Sequence, residues 1–179
     1  MQWVYYMIFF MEIAEKIVLL VIISFVDYYL IRTIINGAPF APTTTAAVSR
    51  MLRLLQVQKG EKAIDLGSGD GRIVIALARA GAIAHGFEIN PVLVWYSRLK
   101  ISRAGFKGRA FIHRRSYWKE DFSTYTVATV FGMPYMMKPL QEKFMKELPS
   151  GARVVSNRFR FPDWHIDASE EKILLYRKQ

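Results

Sequence analysis

"AIDLGSGDGRIVIALA", residues 63–78, packs three glycines into five positions, with an apolar run before them and a helical pattern after. "KAIDL" (62–66) reads as a short buried strand, and Arg72 to Ala80 as a helix closed by Gly81. A strand that feeds a helix through so bare a backbone opens a β-α-β unit in which a ligand approaches the main chain closely. Gly67, Gly69 and Gly71 follow a Gly-x-Gly-x-Gly spacing, unlike the Gly-x-Gly-x-x-Gly of nicotinamide and flavin enzymes. No Gly-Lys-Ser/Thr follows, so the loop is not a P-loop. Asp70 sets a carboxylate at the helix start, where it would repel a pyrophosphate. A ligand with a cationic or zwitterionic end avoids that conflict. Glu88, twenty-one residues after Gly67 at the end of the second strand, is placed to accept both hydroxyls of a ribose.

Before the loop, "GAPFAPTTT" (37–45) is a linker punctuated by proline, whose threonines can cap the helix expected over 46–57. Residues 82–89 form the second strand, and Asn90-Pro91 caps a helix running to about Ala104. "RAFIHRR" (109–115) and "TVATVFGM" (126–133) read as strands three and four, followed by a helix over 138–149. "ARVVSNRFRF" (152–161) and "EKILLYRK" (171–178) are strands five and six. The alternation predicts an α/β fold with a Rossmann-like, doubly wound parallel sheet of about six strands.

The chain has 179 residues, enough for one such domain and little more. It contains no cysteine, which excludes disulfides and thiolate metal sites, and its three histidines are scattered, so no metal site is expected. The net charge is +10. Residues 1–36 carry Glu12, Glu15, Lys16, Asp27 and Arg32, a net of −1, so the remainder holds +11, which suits nucleic acid or a membrane surface.

Residues 1–36 are apolar and aromatic, without the basic region and cleavage site of a secretory signal. From Ile13 to Ile35 the segment is long enough to cross a bilayer as a helix, although Asp27 at depth costs roughly 2.5–3.5 kcal/mol. At 100° per residue Glu12, Lys16 and Asp27 fall within about 60°, a narrow polar stripe suited to another helix or a polar cavity. The expectation is a hydrophobic membrane-anchor helix (1–36) before a catalytic domain (37–179), with interfacial binding or packing on the domain as alternatives. Arg32 near the end of the segment and Arg50, Arg53 and Lys59 after it place the domain on the cytoplasmic, or equivalent matrix, side.

Asp65 at a strand end, the glycine loop and the acid after strand two together resemble the class I S-adenosylmethionine-dependent methyltransferases. "GAPFAPT", "FEINPVLVWYSRLK", "SYWKEDFSTYTVATVFGMP", "MMKPLQEKF" and "ELPSGARVVSNRFRFPDW" narrow the resemblance to one group. These are the membrane-anchored protein-lysine methyltransferases that modify the rotor of ATP synthase and the adenine nucleotide translocase. The resemblance covers residues 37 to about 165. It implies that Asp65, Gly67, Ser68, Gly69, Glu88, Ile89 and Asn90 bind S-adenosyl-L-methionine, and that Thr43 closes over it. The end of strand three would touch the adenine. There the chain departs from the family's Asp-Leu-Trp, with Ser116-Tyr117-Trp118, replacing an acid by a weaker acceptor. The chain ends after its sixth strand, so the seventh strand of the superfamily is expected to be absent.

Methyl transfer to lysine needs a neutral amine, and with a pKa of ~10.4 only about one lysine in a thousand is neutral near pH 7.4. Desolvation by aromatic walls and orientation of the lone pair address that difficulty, and a cation–π site can hold the incoming ammonium. The superfamily places its acceptor site at the end of strand four, here "VFGMPYM" (130–136). Its Phe131-Gly132-Met133-Pro134-Tyr135 lacks the acidic-or-Asn-Pro-Pro-aromatic signature of enzymes that methylate adenine amines. Tyr117, Trp118, Phe131, Pro134 and Tyr135 are the acceptor-site candidates, with Trp95 a further aromatic. Each competes with a plain role in core packing, and no residue stands out as a general base. The expected substrate is a membrane protein, with membrane lipid as a second partner. The basic charge leaves an RNA methyltransferase as the alternative.

Overall fold

A computed structural model of the chain describes residues 2–36 and 42–179. The chain divides into two compact units, Met1–Pro39 and Phe40–Gln179.

The first unit contains one helix, α1 (Gln2–Asn36). Its described large apolar side chains, from Trp3 to Tyr28, are exposed. Among the described residues no helix is long and apolar enough to cross a membrane, so the bilayer-spanning anchor expected from the apolar composition is not shown. Glu12, Glu15, Lys16 and Asp27 interrupt the apolar run, and each charge at depth opposes insertion. Of the linker expected at 37–45, residues 37–41 lie outside the described residues.

The second unit opens with α2 (Thr45–Leu55), whose N-cap is Thr44: its hydroxyl accepts from the Ala47 N–H at 3.3 Å. Then follow β1 (Lys62–Leu66), α3 (Arg72–Arg79), β2 (Ile83–Glu88), α4 (Pro91–Arg103), β3 (Ala110–Arg114) and β4 (Val127–Val130). The chain finishes with α5 (Pro134–Glu147), β5 (Arg153–Asn157), β6 (Ala168–Glu170) and β7 (Ile173–Arg177).

The sheet has seven strands in the order β3-β2-β1-β4-β5-β7-β6, not six. Five are parallel; β7 runs antiparallel between β5 and β6. The expected sixth strand is therefore the seventh. The strand that sequence patterning missed is β6, three residues whose half-exposed alternation is too short to register as a period. A turn with Glu171 at φ +54° folds the two into a hairpin. Helix α5 also begins four residues before its expected start, because Pro134 fits the first helical position.

Helices α2, α3 and α4 cover one face, where Met51, Leu55, Val74, Leu77, Val94 and Ile101 pack on Ala63, Ala84 and Ile112. The other face holds α5, with Met137, Leu140 and Phe144 against Ile64, Ala128 and Tyr176. No helix links β3 to β4, only a 3-10 turn at Tyr117–Lys119. Side chains do its work instead: His85 stacks on Phe111 and on His113, and His113 on Phe87.

Neighbours β1 and β4 send their connections to opposite faces, so the topological switch lies between them, where open α/β sheets bind ligands at the strands' carboxyl ends. Two glycines shape that edge. Gly71 sits at φ +77°, and a Cβ there would lie 2.9 Å from Ser97 Cβ, so it serves both the turn and the approach of α4. Gly86 makes room for the loop: an added Cβ would stand 2.6 Å from Ser68 Cβ and 2.7 Å from Val74 Cγ2. Gly86→Ala is therefore expected to overpack the edge and destabilise the domain by about 1–3 kcal/mol, read as a lowered midpoint in thermal melting.

Candidate active site

Asp65, the penultimate residue of β1, lies beside Gly86 of β2 and Thr129 of β4. It is 2% exposed. The Thr129 hydroxyl donates to its Oδ1 at 2.7 Å, whereas Oδ2 has no partner among the described residues. Burial pushes this carboxyl up to about 7; the bond from Thr129 opposes the rise, and the charges of Glu88 and Asp70 add to it. Ser68 Oγ is buried nearby and equally unpartnered. Thr129 was not legible in advance. A threonine inside an apolar strand looks like filler, and only the strand register places it against the acid.

The glycine loop is held from below and from the side. Gly67 and Ser68 both donate their N–H groups to the Phe87 carbonyl at 3.0 Å. Gly69 N–H donates to Glu88 Oε2 at 3.0 Å, and Asn90 N–H to Glu88 Oε1 at 2.8 Å. Glu88 thus ties the loop after β1 to the start of α4, and each oxygen keeps a lone pair for an outside donor. A Cβ on Gly67 would meet nothing within 4 Å, so the space beside it is open.

Asn90 uses its side chain to cap α4, accepting from Val92 at 2.9 Å and Leu93 at 3.4 Å. Ile89 beside it is half-exposed. Ser116, at the end of β3, accepts weakly from the Trp118 N–H at 3.4 Å. Thr43 is 6% exposed, and its hydroxyl accepts from Asn157 Nδ2 at 3.5 Å.

The sequence reading of Asp70 needs correction. Its carboxylate does not stand free to repel a ligand: Arg72 Nε and Nη2 donate to it at 2.9 and 3.0 Å, and Lys100 Nζ at 2.7 Å. Burial would raise it, but the hydrogen bonds and charges of Arg72 and Lys100 win and hold it down at about 2.

A second group of side chains gathers where β4 meets α5. Tyr117 and Trp118 pack together at 5.1 Å between ring centroids, and Phe131 stacks on Phe159 at 6.5 Å. Tyr117 is half-buried, and burial, with the nearby Tyr135 phenol second, pushes its own phenol up to about 12. Pro134 and Tyr135 open α5, and the Tyr135 ring is 65% exposed. Phe159 was missed as a site aromatic, since "RFRF" reads as strand edge. Trp95 lies exposed on α4 and shares no ring contact with this group among the described residues. No group of three or more metal-ligating side chains occurs among the described residues.

The orphaned oxygens of Asp65 and Ser68, the pinned Glu88 and the open backbone at Gly67 fit an aminoacyl nucleoside, with Asp65 toward an ammonium and Glu88 toward a diol. The family model of the ANTKMT methyltransferase domain matches residues 65–168, more than half of the chain. Over 129 residues the chain is 46% identical to the ATP synthase C-subunit lysine N-methyltransferase of Rattus norvegicus, covering 72% of this chain and 59% of that protein. It is 42% identical to the adenine nucleotide translocase lysine N-methyltransferase of Mus musculus over 70% of this chain and 55% of that one. The chain thus spans less than two thirds of the length of these curated relatives. Among solved structures, an RNA methyltransferase from Salinibacter ruber in complex with S-adenosyl-L-homocysteine superposes with a TM-score of 0.72 at 35% identity, covering 77% of this chain and 92% of that one.

The raised Asp65 carboxyl has a measurable consequence. The folded state holds its proton up to about pH 7 whereas the unfolded chain gives it up near 4, so this group lowers stability as pH rises between them. Asp65→Asn removes that slope. In the absence of ligand the variant is expected to gain stability over the parent progressively from pH 4 to pH 7, by several degrees in melting temperature at the upper end. Burial, chiefly, lowers His85 to about 4, which acts in the opposite direction but is common to both proteins and cancels.

Proposed function

The chain belongs to the ANTKMT methyltransferase domain family, and from that premise we propose that it is a protein-lysine N-methyltransferase, moving a methyl group from S-adenosyl-L-methionine to a lysine of a membrane protein. The observation that carries the reading is the buried pair of unpartnered oxygens beneath a glycine loop whose flanking acid is already pinned. The names of the rat and mouse relatives support lysine as acceptor and a membrane protein as its bearer. Residues 37–179 are the methyltransferase domain in this reading, and residues 1–36 a separate hydrophobic segment. The exposed apolar side chains of α1 suit contact with the apolar helices of such a substrate, or with lipid around them.

Asp65 would hold the amino group of the cofactor at its unpartnered Oδ2, the nearby cation favouring the ionised carboxylate that burial alone disfavours. Glu88, immobilised by two N–H donors, accepts from the ribose hydroxyls. Ser68 lines the floor, Ile89 and Asn90 the adenosine side, and Ser116 takes the place of the acid that would meet the adenine amine.

When bound, the cofactor supplies a methyl on a sulfonium that needs no activation. The chain's task is the amine. Tyr117, Trp118, Phe131 and Tyr135 surround the acceptor with rings that strip water from the lysine ammonium and so favour its neutral form. Pro134 starts α5 there, and the first turn carries no acidic residue, so the positive end of the helix also opposes the protonated amine. The proton leaves to solvent before transfer. The new N–C bond then forms as the S–C bond breaks, with its electron pair left on sulfur. Orientation of the lone pair in line with that bond is what the aromatic walls contribute beyond desolvation.

The Salinibacter ruber structure and the +11 charge of residues 37–179 favour a second reading, RNA methylation. Purified protein is to be incubated with membranes from its own source and methyl-labelled S-adenosylmethionine. Lysine methylation predicts label that resists nuclease, disappears with protease and is recovered as methyl-lysine after hydrolysis; nuclease-sensitive label would replace it with the RNA reading. In calorimetry Glu88→Ala is expected to weaken cofactor binding by at least about tenfold. Tyr135→Ala should leave binding intact and lower turnover by about tenfold or more.

A further inference from the structure

The Asp70, Arg72 and Lys100 cluster lies outside the pair of acids assigned to the cofactor. Its geometry leads to Thr43. Two nitrogens of the Arg72 guanidinium grip Asp70, at 2.9 and 3.0 Å, and the third, Nη1, donates to the Thr43 carbonyl at 2.8 Å. Lys100, arriving from α4, takes the remaining side of Asp70 at 2.7 Å. Asp70 belongs to the glycine loop itself and Arg72 opens α3, so one planar cation joins the loop to the segment preceding α2. On its other side Thr43 meets Asn157, the last residue of β5. In the sheet order β1-β4-β5 its two partners flank β4, so Thr43 is fixed across the carboxyl end of the switch point. Its hydroxyl is buried, and having accepted from Asn157 it retains a proton to donate.

We propose that Arg72, braced by Asp70 and Lys100, is a positioning residue that holds Thr43 against the cofactor site, so that cofactor affinity depends on the Arg72 to Thr43 bond. The proposal rests on the S-adenosylmethionine reading of that site. The chemistry calls for arginine specifically. A rigid fork satisfies a carboxylate with two donors while offering a third at a fixed angle, and a lysine ammonium on a flexible stem cannot do both. Lys100 keeps Asp70 ionised and in place, so Arg72 is not the sole support of the acid. Loss of Arg72 would therefore release Thr43 while leaving the loop's own anchors, Glu88 and the Phe87 carbonyl, untouched.

The test is a double-mutant cycle read by calorimetry with S-adenosylhomocysteine, on the full chain. Arg72→Met and Arg72→Lys are each expected to weaken binding by about tenfold, the loss typical of a charge-assisted hydrogen bond. Arg72→Lys keeps the charge, and circular dichroism melting verifies that each variant is folded. The deciding measurement is Arg72→Met in a Thr43→Val background, where its cost should shrink to less than about twofold because the hydroxyl it positions is gone. An equal loss in both backgrounds, or no loss in either Arg72 variant, overturns the proposal. Folded parent protein that fails to bind S-adenosylhomocysteine would instead remove the cofactor reading on which it rests.

Discussion

Everything at the carboxyl edge of this sheet is arranged around a carboxyl group that the fold buries without fully satisfying. Asp65 has one oxygen on Thr129 and the other on no described residue, in surroundings that push its titration up to about 7. A protein selected for stability alone would place an asparagine or an apolar residue there. The cost falls on a group whose unpartnered oxygen a cation brought beside it would offset. Thr129 sets the orientation of the acid, Gly86 admits Ser68 beside it, and the Phe87 carbonyl takes two N–H groups from the loop above.

Around that acid, connections from different strands are tied together through backbone groups and a few charged side chains. Glu88 joins the loop after β1 to the cap of α4, and Asp70 receives Arg72 from α3 and Lys100 from α4. Both acids are held by at least two donors and therefore sit in one geometry before any ligand arrives. Fixing the loop in advance lowers the entropy lost when a ligand binds there.

The two faces of the sheet are built differently. Three helices cover one, whereas the other has α5 and an assembly of rings, from Phe122 and Phe144 to Phe161, Trp164 and Tyr176. Between β3 and β4 there is only a 3-10 turn, whose Tyr117 and Trp118 pack on each other, with Tyr117 also against the ring assembly.

Features under local control were legible in the residues. Gly67, Gly69 and Gly71 announce a turn that needs positive φ, Asn90-Pro91 a capped helix, and Glu88 an acid at a strand end; each signal lies within a few residues. The same holds for the α/β alternation and for the motifs that carry the family resemblance. Whatever depends on partners distant in the chain emerged only on folding. The hairpin of β6 and β7 exists because β7 can add antiparallel to β5, a pairing that no three-residue pattern encodes. Asp70 looked like a repulsive charge until Lys100, thirty residues away, was brought against it. Thr129 acquired its carboxylate partner only through strand register, and Arg72 its third partner only because Thr43 lies within reach of its third nitrogen. A side chain's type is written in the sequence, but its charge state and its role depend on which neighbours remove it from water, and those neighbours are chosen by the fold.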